Sequence, residues 1–215
     1  MKHFLLINLS PRKAGTSAML AFRCREYLVN RGHSVSLLHL YPCLNKLEEI
    51  VNAVQKADTL VFVGPCYINT YPADTYALLA EIAGHKEVLH GQQVYGIIQG
   101  GMPHPHTHEN GLMALELFSE KCGLQYMGGF IMGLGAMLNG QPLEKLLNAK
   151  KVIPQLNLFF DHMDKGEISP RRVYEASLLR FPGLVWRLMA RMANKNIDKD
   201  LKSHGIDAAQ PSPYL

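Results

Sequence analysis

Between positions 8 and 17 the chain reads Asn-Leu-Ser-Pro-Arg-Lys-Ala-Gly-Thr-Ser, a stretch rich in groups that bind anions. Ser10, Thr16 and Ser17 offer hydroxyl donors, and Arg12 offers a planar charged fork suited to phosphate. A second cluster, Pro65-Cys66-Tyr67-Ile68-Asn69, sets an aromatic ring beside small polar groups. A third, Gln99-Gly100-Gly101-Met102, contains two glycines, which let a backbone approach a flat ligand closely. His104, His106 and His108 invite a metal reading, because imidazole is the commonest metal ligand. Two prolines hold that loop extended, however, and a closed site needs a further ligand, so the expectation is a solvent-facing loop and no metal. No Ser/His/Asp pattern points to nucleophilic catalysis, and no residue is assigned a catalytic role.

The elements that must position these groups can be read from hydrophobic period. Phe4 to Ile7 is a short apolar run closed by Pro11 and Gly15, which reads as a buried strand. Periodic apolar residues after Thr16-Ser17 read as a helix to about Arg31, closed by Gly32. The first cluster is therefore a loop between strand and helix. Helix N-termini present unpaired N–H groups and partial positive charge, so such a loop suits an anion. The competing reading is an ordinary strand-to-helix turn with a good cap.

The same rhythm continues. Strands are expected at His33–Leu40, Asp58–Pro65, Gln93–Gln99 and Tyr126–Met132, and helices at Leu47–Lys56, Pro72–Ala83 and Glu109–Cys122. A fifth helix is expected from Leu143, interrupted near Pro154. Strand and helix alternating five times imply an α/β, doubly wound, five-stranded parallel sheet. The order 2-1-3-4-5 is one of the few topologies allowed, and it places ligands at the carboxyl ends of strands one and three. The second and third clusters follow strands three and four, so all three would face one crevice. The stretch from Gly128 to Gly140, rich in glycine, reads as tight packing and loop formation.

Composition narrows the function classes. The 215 residues are 47% hydrophobic and 19% charged, ordinary for a globular domain plus an extension. A net charge of +4 without one long basic run is mild for a nucleic-acid partner and favourable for anionic small molecules. The cysteines, Cys24, Cys43, Cys66 and Cys122, have no CxxC spacing and form neither a zinc pattern nor a disulfide framework. No Gly-x-x-x-x-Gly-Lys-Ser/Thr is present, and no Gly-x-Gly-x-x-Gly follows the first strand. The absence of a charged-then-apolar leader makes a cytoplasmic location the expectation.

Asn8-Leu9-Ser10-Pro11-Arg12 with Gly15-Thr16-Ser17 resembles the first loop of the flavodoxin-like NAD(P)H-dependent FMN reductases and quinone reductases. Leu9 stands where that family usually has glycine, and Gly15 where it has asparagine. The loop from Gly64 to Ala73 resembles the family's Ser-Pro-Val-Tyr-Trp…Met-Pro-Ala loop, with Tyr67 on the family aromatic, Cys66 in place of Val and Ile68 in place of Trp or Phe. The Gly100-Gly101 loop stands where the family has a Gly-Phe-Pro-type turn. The resemblance implies bound FMN, with its phosphate on Ser10, Arg12, Thr16 and Ser17. Its ring would lie along Pro65, Cys66, Tyr67, Ile68, Asn69, Gln99, Gly100, Gly101 and Met102. It also implies NAD(P)H as co-substrate, a small-molecule electron acceptor such as a quinone, flavin, or nitro or azo compound, and a homodimer or higher homo-oligomer. A carrier like flavodoxin and a non-catalytic flavin-binding module are the alternatives; true flavodoxins are usually acidic, whereas this chain has a pI near 8.8.

From Ser169 the composition changes. The expected division is a flavodoxin-like domain over residues 1–165 and a basic amphipathic helical extension over 166–215, broken at Pro182-Gly183. Its apolar stripe, including Leu184, Trp186 and Leu188, would pack on the domain or a second subunit, cover the crevice, or rest on an anionic membrane, the first fate being the commonest. The final eight residues are too proline-rich for a helix and are expected to lie along the surface or fray.

Overall fold

The structure, a computed structural model, describes residues 1–177 and 182–206. The expected course of residues 208–215 lies outside them. The chain divides into two compact units, Met1–Leu179 and Arg180–Leu215. In the first, β1 (His3–Asn8), β2 (Ser34–His39), β3 (Thr59–Pro65), β4 (Gln93–Gln99) and β5 (Gln125–Met132) form one sheet. Its order is β2-β1-β3-β4-β5, and every neighbouring pair is parallel. The doubly wound, flavodoxin-like order expected from the alternation of elements is the one observed.

The central strand shows why. All seven residues of β3, Thr-Leu-Val-Phe-Val-Gly-Pro, are buried, as a parallel strand covered on both faces requires. The helices α2 (Leu47–Gln55), α3 (Ala73–Gly84) and α4 (Glu109–Cys122) form one layer, and α1 (Thr16–Asn30) and α5 (Ala149–Lys165) form the other. Edge-to-face pairs fasten both layers to the sheet: Phe62 of β3 meets Phe118 of α4 at 6.3 Å, and Tyr95 of β4 meets Phe159 of α5 at 5.9 Å.

The fifth helix differs from expectation. Leu143–Lys145 makes a single 3-10 turn, and α5 starts only at Ala149 and runs through Pro154 without a break. Pro154 sits in the second turn, so the bond it cannot make is the one to the Lys150 carbonyl. Both residues are exposed, and water can take that carbonyl. Beyond α5 the chain returns along the edge of the sheet. The Ser169 N–H donates to the Met127 carbonyl at 2.8 Å, the short helix α6 (Arg172–Glu175) buries Val173 and Tyr174, and Asn148 Nδ2 donates to the Ser177 carbonyl at 2.9 Å. Residues 166–177 thus pack within the first unit. The second unit contains α7 (Gly183–Ser203), which starts directly after Pro182.

Candidate functional site

The loops that leave β1, β3 and β4 emerge at the carboxyl end of the sheet, where parallel strands of this order leave a crevice. A crevice is found there, with an empty volume of about 420 Å³ counting the part open to solvent. Ser10, Arg12, Gly15 and Thr16 line it from the first loop, Pro65, Cys66 and Tyr67 from the second, and Gln99 and Gly100 from the third. Ala136 and Asn139, from the loop after β5, complete the lining. Among these described residues there is one cation, Arg12, and no carboxylate.

The first loop is fixed by its own side chains. Asn8 Oδ1 accepts from the Ser10 N–H at 3.0 Å, and Ser10 Oγ accepts from the Arg12 N–H at 3.2 Å. The first intrahelical bond of α1 runs from the Met19 N–H to the Gly15 carbonyl, so the Thr16, Ser17 and Ala18 amides precede the helical ladder. No side chain caps that end. Orphan amides beside a guanidinium form a ready anion site.

Beneath the loop, Gln99 Nε2 donates to Ser17 Oγ at 3.2 Å, which leaves Gln99 Oε1 buried without a partner. Ser17 is fully buried and supports Gln99 rather than lining the crevice. A buried amide with one unpaired end is a group that a ligand's polar edge would complete.

The second loop turns through Ile68 and Asn69, with φ of +50° and +70°. The Tyr67 N–H donates to the Thr70 carbonyl at 2.7 Å across this turn. A β-branched residue in the left-handed region is strained, at a cost of roughly 1–3 kcal/mol. Ile68 is 96% exposed and Tyr67 46%, so the turn carries its apolar groups into solvent at the rim of the crevice. Tyr71, by contrast, is buried and donates to the Ile97 carbonyl at 3.3 Å. Cys66 Sγ lies 3.6 Å from the Thr107 carbonyl, and burial raises its thiol pKa, so it is a protonated wall and not a nucleophile.

In the third loop the two glycines do different things. A side chain on Gly100 would come within 2.5 Å of His108 Cε1 and 3.1 Å of Cys66 Cβ, so its bareness makes room for neighbouring protein. Gly101 has only Ala136 Cβ near, at 3.9 Å, and is exposed with Met102. His108 is buried, its Nε2 bonded to the Met102 carbonyl at 3.0 Å and its Nδ1 unpaired. Burial lowers its pKa, which keeps the ring neutral near neutral pH. His104 and His106 stack with centroids 5.5 Å apart. Among the described residues no group of three or more His, Cys, Asp and Glu could hold a metal ion.

The loop after β5 is the part that sequence reasoning missed. It starts at the edge strand yet reaches the loop after β1. Thr16 Oγ1 donates to the Gly135 carbonyl at 2.9 Å and accepts from the Gly140 N–H at 3.2 Å. Arg12 Nη1 donates to Asn139 Oδ1 at 3.3 Å. Gly140 has φ +82°, and a Cβ there would lie 2.3 Å from the Ala14 carbonyl oxygen. The Thr16 hydroxyl therefore serves the protein's own loop, while Ser10 Oγ, Arg12 and the orphan amides face the crevice. The only signal in the sequence was the glycine-rich stretch itself.

Tested against a flavin mononucleotide, this donor set fits. It offers cation and amides for a phosphate, an unpaired buried amide oxygen for a polar ring edge, and aromatic and backbone walls for a flat ring.

Comparison with solved structures agrees on the architecture. The chain is similar to an NADH:FMN oxidoreductase in its apo form, at a TM-score of 0.63 and 21% identity, covering 81% of this chain and 94% of that one. It is similar to an azoreductase from Bacillus anthracis, at 0.53 and 14%, covering 77% and 98%. It is also similar to a short-chain flavodoxin associated with a bacterial microcompartment, at 0.53 and 15%, covering 77% and 99%. No protein-family model and no curated sequence matches it. Strand order, helix layers and these likenesses together make the chain a protein of flavodoxin-like fold.

Proposed function

We propose that the protein is an FMN-dependent oxidoreductase that takes a hydride from NAD(P)H and delivers it to a small acceptor such as a quinone, a free flavin, or a nitro or azo compound. The observation that carries this reading is the convergence of four loops on one crevice, with orphan amides and Arg12 at one end and the unpaired Gln99 Oε1 in its floor. Similarity to an NADH:FMN oxidoreductase and an azoreductase supports the same class.

Bound FMN would supply the redox chemistry, accepting and releasing the hydride. This chain's residues bind and orient it. The α1 N-terminus, Ser10 Oγ and Arg12 take the phosphate, with Thr16 and Ser17 holding that loop in shape. Gln99 reads a polar edge of the ring, and Pro65, Cys66 and Tyr67 form one wall. A helix dipole contributes only about 0.3–1 kcal/mol at an exposed end, and a micromolar site requires roughly 8. Ring burial must therefore supply much of the affinity, and the second and third loops provide it. The protonated Cys66 and neutral His108 place no charge against the ring, leaving hydride transfer to cofactor and substrate.

The test is direct. Purified protein, reconstituted with FMN and mixed with NADH or NADPH without oxygen, should lose its flavin colour rapidly and regain it on addition of a quinone. A yellow protein indifferent to both nucleotides would be an electron carrier. A protein that takes up no FMN would overturn the assignment.

A further inference from the structure

The second unit contains a helix with an unusual surface. The helix α7 runs for 21 residues, far longer than a connector needs, yet its apolar side chains are turned outward. Leu184 is 79% exposed, Leu188 59%, Met192 60% and Ile197 55%. Helices of this kind derive their stability from an apolar face set against something, since propensity alone is marginal in water. Leu184, Leu188 and Met192 recur every four residues and form one stripe. Lys195 and Lys199 continue the same stripe, and Arg187 and Arg191 border it. The helix has five basic residues, Lys202 being the fifth, against two acidic ones, Asp198 and Asp200.

We propose that α7 is a docking surface for an anionic lipid bilayer, lying in the plane of the interface. Charge decides between this occupant and a second copy of the chain. Two copies paired along this face would oppose Arg187, Arg191, Lys195 and Lys199 to their own kind, and like charges brought together repel. Anionic headgroups meet the same residues with the opposite sign. Leucine and methionine enter the acyl boundary, and the long basic side chains reach to the headgroups. No described helix is long and apolar enough to cross a membrane, so the attachment is peripheral. The inference does not depend on the flavin reading, because it concerns a separate unit and is measured without turnover.

The experiment is flotation of the full chain with vesicles of phosphatidylcholine alone and of phosphatidylcholine mixed with phosphatidylglycerol. The protein should float only with the second, and high salt should release it. Replacing both arginines, Arg187→Gln with Arg191→Gln, should lower the bound-to-free ratio about 30-fold. Leu188→Gln with Met192→Gln should lower it roughly tenfold or more. Unchanged thermal unfolding of both variants would show that the first unit is intact. Three results would overturn the proposal: no flotation with phosphatidylglycerol, equal flotation with neutral vesicles, or a dimer in sedimentation equilibrium that Leu188→Gln with Met192→Gln dissociates while anionic vesicles bind nothing.

Discussion

Thr16→Val asks whether the hydroxyl of Thr16 holds the protein together or contacts the cofactor. The substitution keeps the branched shape and removes one oxygen. That oxygen donates to the buried Gly135 carbonyl at 2.9 Å and accepts from the half-buried Gly140 N–H at 3.2 Å. Each such bond contributes a net of about 0.5–1.5 kcal/mol, and a buried group left unpaired costs about 1–3. The Gly135 carbonyl stays buried, whereas the Gly140 amide can turn to water, so the expected loss is about 2–3 kcal/mol. For a chain of this size each kcal/mol moves Tm by about 2–4 °C, giving a fall of roughly 4–12 °C. The assay is thermal and urea unfolding of the FMN-free protein, with Thr16→Ser as the control that keeps the oxygen. If flavin-free Thr16→Val unfolds like the parent and only its FMN affinity falls, the hydroxyl belongs to the phosphate and the reasoning is refuted.

Gln99→Leu should leave stability of the flavin-free protein nearly unchanged, because the buried amide already has an unpaired oxygen; FMN affinity, by fluorescence titration, should fall about tenfold. His108 should give an acid-sensitive component of stability. Its native pKa is lowered by burial, so below the unfolded value of about 6.5 the unfolded chain binds the extra proton, and stability falls as pH drops through that value. His85 is shifted upward by Glu87 and Glu81 and acts in the opposite sense, so the measurement is the difference between parent and His108→Gln across pH. Cys66 should react slowly with iodoacetamide at neutral pH, the rate rising with pH past the usual thiol range; fast alkylation would contradict its raised pKa. Pro154→Ala should stabilise by about 1–2 kcal/mol in urea unfolding, by restoring the bond to the Lys150 carbonyl, partly offset by a freer unfolded chain.

The sheet was readable because its strands are short apolar runs and its helices carry periodic faces. β3 is buried on both sides and its seven residues say so without ambiguity. Much of the crevice was readable too, since Ser10, Arg12, Tyr67 and Gln99 lie in loops that the strand order alone brings together. Three things were hidden. The loop after β5 reaches Thr16 through contacts between residues more than a hundred positions apart, and nothing local to Asn139 or Gly140 announces that. Gly100 looked like a place for a ligand, but the room it leaves is filled by His108, a residue eight positions on. Pro154 looked like a break because the rule against proline inside helices is strict there and lenient one turn earlier.

The reach of residues 133–142 from the far edge of the sheet to its first loop sets an order of assembly. A chain emerging from synthesis has its anion loop complete after about Ser17, yet the groups that steady it, Gly135, Asn139 and Gly140, arrive more than a hundred residues later. Until β5 has joined the sheet, Thr16 has neither of its partners and Arg12 swings free of Asn139. Cofactor retention is therefore a property of the finished sheet, and a chain released before Gly140 would fold four strands and still let its ligand go.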